Sequence, residues 1–179
     1  MHIDPREKAW VYVSLILVAF ASAVVLFTAV SANIHPPSNV ETIDSASLHL
    51  SEEFAEDRLG PRITEDGRVV VTMVAARYAF YPQRVEVPAN TPVTFRWATP
   101  DVLHGVHVAG TNMNTMVVPG FVSEVTTEFP RPGTYPFLCN EYCGLGHDYM
   151  WSRLVVVPQD QWQPDQVQAG PNPPGDRGQ

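Results

Sequence analysis

Between positions 139 and 150 the chain reads Cys-Asn-Glu-Tyr-Cys-Gly-Leu-Gly-His-Asp-Tyr-Met. Two thiols, an imidazole, a thioether and a carboxylate stand close together there, and Cys139 and Cys143 are the only cysteines of the chain. Soft thiolate and thioether donors beside imidazole select copper over hard cations such as Mg²⁺ or Ca²⁺. A second imidazole lies upstream at His104, in Pro-Asp-Val-Leu-His-Gly. A mononuclear blue-copper site uses one Cys, two His and a weak axial Met. This stretch offers that set and a further Cys. Two copper ions sharing both thiolates would use every donor: each takes one His, and Met150 and the backbone carbonyl of Glu141 fill the weak positions. The residues therefore point to a binuclear, thiolate-bridged copper centre. A Cys139–Cys143 disulfide would be awkward in so short a loop and would leave His147 and Met150 idle. A Cys₂His₂ zinc site would have no use for Met150.

Such a loop needs a rigid frame, and the sequence predicts one. From Val69 onward the pattern has period two and is rich in β-branched residues, which predicts strands over Val69–Ala76, Arg84–Val87, Pro92–Thr99, Val106–Ala109, Met113–Val118, Val122–Phe129, Thr134–Leu138 and Trp151–Val157. Turn signals separate them, among them Pro88-Ala89-Asn90, Pro119-Gly120 and Pro130-Arg131-Pro132-Gly133. Many short strands at regular spacing predict an all-β Greek-key sandwich or barrel. On that frame His104 falls in a loop after the strand ending near Thr99, and Cys139–Met150 forms the loop between the last two strands.

The rest of the chain divides by composition. Ala9 to Ala32 carries no charged residue, and at about 1.5 Å per residue it is long enough to cross a bilayer core as a helix. Trp10 and Tyr12 stand at its start, as an interfacial belt would. Arg6 and Lys8 precede it, and no Lys or Arg follows until Arg58. The positive-inside rule then predicts a cytoplasmic N-terminus (1–8), a single transmembrane helix (9–32) and everything later outside the plasma membrane of a bacterium or archaeon. A cleaved signal peptide is the rival reading, with Val30-Ser31-Ala32 as cleavage site, but the apolar run is long for one. Residues 33–66 read as an acidic linker, 67–158 as the folded domain and 159–179 as a disordered tail rich in Pro, Gln, Gly and Asp. His35 and His49 read as surface residues. The net charge of −8 lies after the apolar run. It argues against nucleic acid as a partner and suits a basic protein partner.

The pattern Cys139-x-Glu141-x-Cys143-x-x-x-His147-x-x-Met150, with His104 upstream, resembles the CuA motif of cytochrome c oxidase subunit II. The single apolar span, with Pro-Asp-Val-Leu-His-Gly-Val-His at 100–107 and Cys-Gly-Leu-Gly-His at 143–147, is most similar to the B-type, ba3-like haem-copper oxidases. The resemblance implies a cupredoxin-like domain. It implies that the two Cys bridge a pair of coppers, that His104 and His147 cap one each, and that Met150 and the Glu141 carbonyl are axial. Glu141 departs from the B-type pattern: it is the acid typical of the two-span relatives, where its side chain also helps hold Mg²⁺ at the subunit boundary, which makes it a Mg²⁺ candidate here. Trp151-Ser152-Arg153 departs from the smaller, Gly-containing step expected after Met150.

Several neighbours are candidates for supporting roles. Tyr78 and Phe80, with Met113 and Trp151, are the electron-transfer or docking candidates; Met116 is a further one, and each has ordinary core packing as the alternative. Asp101 and Asn140 are candidates to hold the ligands from outside. His107 is set aside as a ligand, since an odd offset from His104 along a strand turns it to the other side.

The resemblance implies electron entry. A c-type cytochrome or small copper protein would give electrons to this centre, which would pass them to haem in a separate membrane subunit I. There O₂ is reduced to water with proton translocation, so the chain is an enzyme subunit without O₂ chemistry of its own. The alternatives are the corresponding subunit of a haem-copper nitric oxide reductase and, of another class, a membrane-tethered copper carrier.

Overall fold

The computed structural model describes residues 4–31 and 41–163, in two units that part at Pro36/Pro37. The expectations for 1–3, 32–40 (with His35) and 164–179 lie outside the described residues.

The first unit is one α-helix, α1 (Pro5–Ser31). Asp4 caps it by accepting the Arg6 N–H at 2.7 Å, and Pro5 occupies the first helical position, where its missing N–H costs nothing. Past Arg6, Glu7 and Lys8 of its first turn, its side chains are predominantly apolar on every side and exposed within the unit, as a bilayer-spanning helix requires. It is long and apolar enough to cross a membrane.

The second unit is a sandwich of two sheets. In chain order the strands are β1 (Glu41–Thr42), β2 (Gly60–Ile63), β3 (Val69–Ala76), β4 (Ala79–Tyr81), β5 (Arg84–Pro88), β6 (Val93–Ala98), β7 (His104–His107), β8 (Asn114–Val117), β9 (Phe121–Thr127), β10 (Gly133–Leu138) and β11 (Trp151–Val157). One sheet runs β1-β9-β6-β3-β2 with β4 beside β3; the other runs β5-β11-β10-β7-β8. β3 and β6 are parallel, as are β5 and β11, while the remaining pairs are antiparallel. This is the cupredoxin-like sandwich that the sequence pattern and the resemblance lead one to expect.

The two inner faces close over one core. Val69, Val71, Met73 and Ala75 of β3 and Val93, Phe95 and Trp97 of β6 face Phe137 of β10 and Leu154 and Val156 of β11. Trp97 lies edge-on to Phe137 at 5.4 Å between ring centroids and to Phe80 at 5.7 Å, a favoured arrangement of ring quadrupoles.

The alternate residues of β3 and β6 are covered as well, by the segment 41–63. This is the main departure from the sequence reading, which makes 33–66 a connector. Leu48 and Phe54 bury themselves against Ala98 and Val122, with Ile43, Leu59 and Val74 around them. Asp44 caps the 3₁₀ turn Ser45–Leu50 by accepting the Ala46 N–H. Ionic contacts fasten the rest. The Arg96 guanidinium donates to both carboxylate oxygens of Glu53, at 2.8 and 2.9 Å, to Glu124 at 2.6 Å and to Glu41 at 2.8 Å. Arg62 adds a second cation to Glu53 at 2.8 Å and reaches Thr72. Burial would raise the Glu53 carboxyl, but the hydrogen bonds from Arg96 and Arg62 outweigh it and hold it below its ordinary value. Glu53 also drives the Arg96 pKa upward. Both faces of β3 are thus buried, which is why Val-Val-Val-Thr-Met-Val-Ala-Ala departs from the period-two pattern expected from Val69 onward and does not alternate with polar residues.

The described start of the C-terminal stretch also packs down. Trp162 lies against the main core and its indole N–H donates to the Glu86 carbonyl at 3.0 Å.

Candidate metal centre

The loop from Cys139 to Met150 joins β10 to β11 and is closed at its base by a hydrogen bond from the Cys139 N–H to the Met150 carbonyl, 3.1 Å. The loop therefore returns its first and last donor residues to the same spot. In between, a 3₁₀ turn (His147–Tyr149) brings the imidazole back to the Cys143 thiol. Amides within the turn region bond locally: His147 to Gly144, Tyr149 to Gly146 and Met150 to His147.

The donors converge. The Cys139 and Cys143 sulfurs lie 3.9 Å apart as free thiols. The Cys139 thiol faces the Glu141 carbonyl at 3.2 Å. The Cys143 sulfur lies 3.6 Å from the Met150 sulfur and 3.6 Å from His147 Nδ1. A His104 ring nitrogen lies within 4.8 Å of both thiols. Both cysteines and Met150 are buried, and His104 is fully so. Burial raises the Cys143 thiol, with the neighbouring Cys139 adding to it, to about 11.

His104 opens β7 rather than sitting in a loop as the sequence suggests. Its Nε2 meets Asp101 Oδ1 at 2.8 Å. That leaves Nδ1 buried, with no hydrogen-bond partner among the described residues. An orphaned buried nitrogen on a ring that lies within 4.8 Å of two thiols fits a metal ligand. The soft donor set fits copper.

Asp101 is the organiser of that imidazole. Its Oδ1 also accepts from Val102 N–H at 2.6 Å and Thr99 Oγ1 at 3.0 Å, and its Oδ2 accepts the Arg77 N–H at 2.8 Å. Burial would raise this carboxyl, but the hydrogen bonds from Arg77, His104, Val102 and Thr99 bring it down to about 2. It is thus a charged acceptor that orients the ring. Asn140 is placed differently. It is exposed and donates to Asn114 Oδ1 at 2.9 Å, joining the ligand loop to β8. It also overlies Gly105: a Cβ there would collide with Asn140 Oδ1 and come to 3.0 Å of the Glu141 amide nitrogen. Gly105 thus lets β7 approach the loop.

Two of the four electron-transfer or docking candidates take the core packing that is their alternative in the sequence. Phe80 and Met113 are fully buried in the main core, so neither meets a partner. Tyr78 and Trp151 are partly exposed. Trp151 stacks with the Arg153 guanidinium at 5.3 Å. Around the ligand loop, Leu138, Tyr142, Leu145 and Tyr149 join them as exposed apolar or aromatic side chains, Leu145 at 92%. His107 is half-buried and outside the donor group. The residues sequence reasoning missed are Arg77 and the glycines at 105, 144 and 146. The Gly-x-Gly spacing inside the loop was a visible signal; nothing marked Arg77.

Comparison with known proteins fits this geometry. The family model for the periplasmic domain of cytochrome c oxidase subunit II matches residues 55–157. The chain is 35% identical over 152 residues to a cytochrome c oxidase subunit 2 of Thermus thermophilus, covering 84% of this chain and 90% of that one. A second Thermus thermophilus subunit 2 is 36% identical over 126 residues, 70% of this chain and 93% of the relative. A solved heme-copper terminal oxidase dimer superimposes with a TM-score of 0.70 at 27% identity, covering 85% of this chain and 99% of its counterpart. The chain therefore belongs to the cytochrome c oxidase subunit II family, the copper-binding, electron-entry part of a haem-copper oxidase complex, and its sandwich is that subunit's periplasmic domain.

Proposed function

We propose that His104, Cys139, the Glu141 carbonyl, Cys143, His147 and Met150 hold a binuclear, thiolate-bridged copper centre. This centre would receive electrons from a c-type cytochrome or a small copper protein and hand them to haem in subunit I. The observation that carries the reading is the convergence of two free thiols, a thioether and the His104 imidazole in one buried cluster, with the half-buried His147 imidazole 3.6 Å from the Cys143 sulfur. When bound, the copper pair supplies a one-electron carrier whose charge is shared over two ions and two sulfurs. The protein does the rest. Asp101 fixes the His104 ring, the Cys139–Met150 hydrogen bond fixes the loop's ends, and the buried setting excludes water. Preorganised ligands on a rigid frame need little rearrangement on gaining or losing an electron.

The exposed apolar side chains around the loop suit a donor that presses an apolar edge over the centre, while the net charge of −8 favours a basic one. The helix α1 would anchor the subunit with its N-terminus in the cytoplasm and the sandwich outside. We assign the Glu141 carboxylate, which has no hydrogen bond or ion pair among the described residues, to a Mg²⁺ at the boundary with subunit I. Manganese bound in place of magnesium, read by electron paramagnetic resonance in wild type and Glu141→Gln complexes, tests that assignment.

The experiment for the main reading uses the purified complex. Reduced cytochrome c is mixed rapidly with wild type and Cys143→Ser enzyme, and haem reduction is followed. The variant is expected to lose haem reduction from cytochrome c while a small artificial reductant still reduces its haem directly. Haem reduction from cytochrome c at the wild-type rate in Cys143→Ser would refute the reading.

A further inference from the structure

The two ligand carriers, β7 with His104 and the loop Cys139–Met150, both belong to the second sheet's end of the sandwich. A two-residue corner of the other sheet, Arg77-Tyr78 between β3 and β4, touches both carriers. Its first residue grips the His104 side. The Arg77 N–H donates to Asp101 Oδ2 at 2.8 Å, its Nε lies 3.4 Å from the same oxygen, and Asp101 Oδ1 holds His104 Nε2 at 2.8 Å. Its second residue covers the loop. A Cβ built on Gly144 would come to 2.6 Å of the Tyr78 hydroxyl oxygen, and one built on Gly146 to 2.5 Å of Tyr78 Cδ2 and 2.7 Å of Cγ. The ring therefore lies directly on the backbone of Cys143-Gly-Leu-Gly-His147.

The two glycines are needed for different reasons. Gly144 has φ +131°, a conformation that side chains rarely adopt. Gly146 has φ −100° and ψ 17°, which any residue can take. At 146 it is the Tyr78 ring, and not the backbone, that calls for glycine.

We propose that Arg77-Tyr78 is a brace that sets the ligand loop in its binding shape before any metal arrives, with Tyr78 as the positioning residue. The inference rests on the metal-site reading above for its purpose, though not for its geometry. Without the ring, loop residues 143–149 are held by local backbone bonds and by the tie at the loop's base, and such short turns open readily.

The test uses the full chain in detergent, free of metal, and follows amide hydrogen exchange. Tyr78→Ala is expected to speed exchange at His147, Tyr149 and Met150 by about tenfold or more while the amides of β3 and β6 keep their wild-type protection. Tyr78→Phe, which keeps the ring, is expected to stay close to wild type. Gly146→Ala alone should loosen the loop, and adding Tyr78→Ala should relieve the collision and slow exchange again relative to Gly146→Ala. In the copper-loaded chain, Tyr78→Ala should surrender copper to a chelator about tenfold faster than wild type. Unchanged loop exchange in Tyr78→Ala, Tyr78→Phe behaving like Tyr78→Ala, or no relief in the double variant would each overturn the brace. A wild-type chain that binds no copper but shows the expected exchange pattern would defeat the metal reading and leave the brace standing.

Discussion

Replacing Arg96 by Met removes the cation at the centre of the ionic cluster that straps residues 41–63 onto the sheet. Arg96 makes four contacts of 2.6 to 2.9 Å with Glu53, Glu124 and Glu41, and its side chain is 16% exposed. Surface ion pairs contribute about 0–1 kcal/mol, whereas removing one partner of a buried pair costs about 3–5 kcal/mol. Glu53 and Glu124 are mostly covered and Glu41 is half exposed, so the loss falls between those limits, at about 2–3 kcal/mol. Part of it is repulsion among the three carboxylates left facing one another. Arg62 still reaches Glu53 at 2.8 Å and limits the damage. For a domain of this size that corresponds to a fall in Tm of roughly 6–12 °C. Thermal unfolding of the full chain in detergent, followed by near-ultraviolet circular dichroism of the buried aromatic cluster, reads it. Hydrogen exchange should show the 41–63 segment loosened first, with the ligand loop unaltered. A loss under about 0.5 kcal/mol would mean that solvent screens the cluster and that strand pairing and the apolar packing of Leu48 and Phe54 hold the strap.

Other consequences are as direct. Because Glu53 has a folded-state pKa below its ordinary 4.5, its stabilisation is complete above pH 4.5 and is lost as pH falls below that through the depressed value; strap exchange should therefore rise on acidification, and less so in Glu53→Gln. Gly105→Ala puts a methyl group into Asn140 and against the Glu141 amide, so a loss of about 1–3 kcal/mol in unfolding free energy is expected, with a disturbed copper spectrum because the Glu141 carbonyl moves. Leu145→Asp, at the most exposed apolar position beside the centre, should raise the KM for the cytochrome donor in the whole complex while leaving kcat nearly unchanged; an unaltered KM would place docking elsewhere.

The proposed copper donors stand out in the sequence because the chemistry is local: Cys139, Cys143, His147 and Met150 fall on one loop, and their element types leave few other uses. The strands β3 and β11 were legible to the residue, since turn residues bound them and β-branched side chains fill them. What escaped depends on distant partners. Segment 41–63 looks like an acidic connector because most of its charge is visible and its anchor is not; Glu53 finds Arg96 forty-three residues away. Phe80 and Met113 stand between an electron-transfer or docking role and core packing because residue type does not say which way a side chain turns, and both turn inward. Trp162 was folded into a tail by its neighbours' composition, although its indole ring packs on the core. Tyr78 was noticed for its ring, but its contact with Gly144 and Gly146 follows only from the meeting of two sheets.

The most direct test of the central claim is to load the full chain with copper, count the metal per chain and record its electron paramagnetic resonance spectrum. The account predicts two copper ions sharing one unpaired electron equally over both nuclei, and loss of that pattern in Cys139→Ser. A single copper with a mononuclear signal, or a chain that retains no copper, would contradict it.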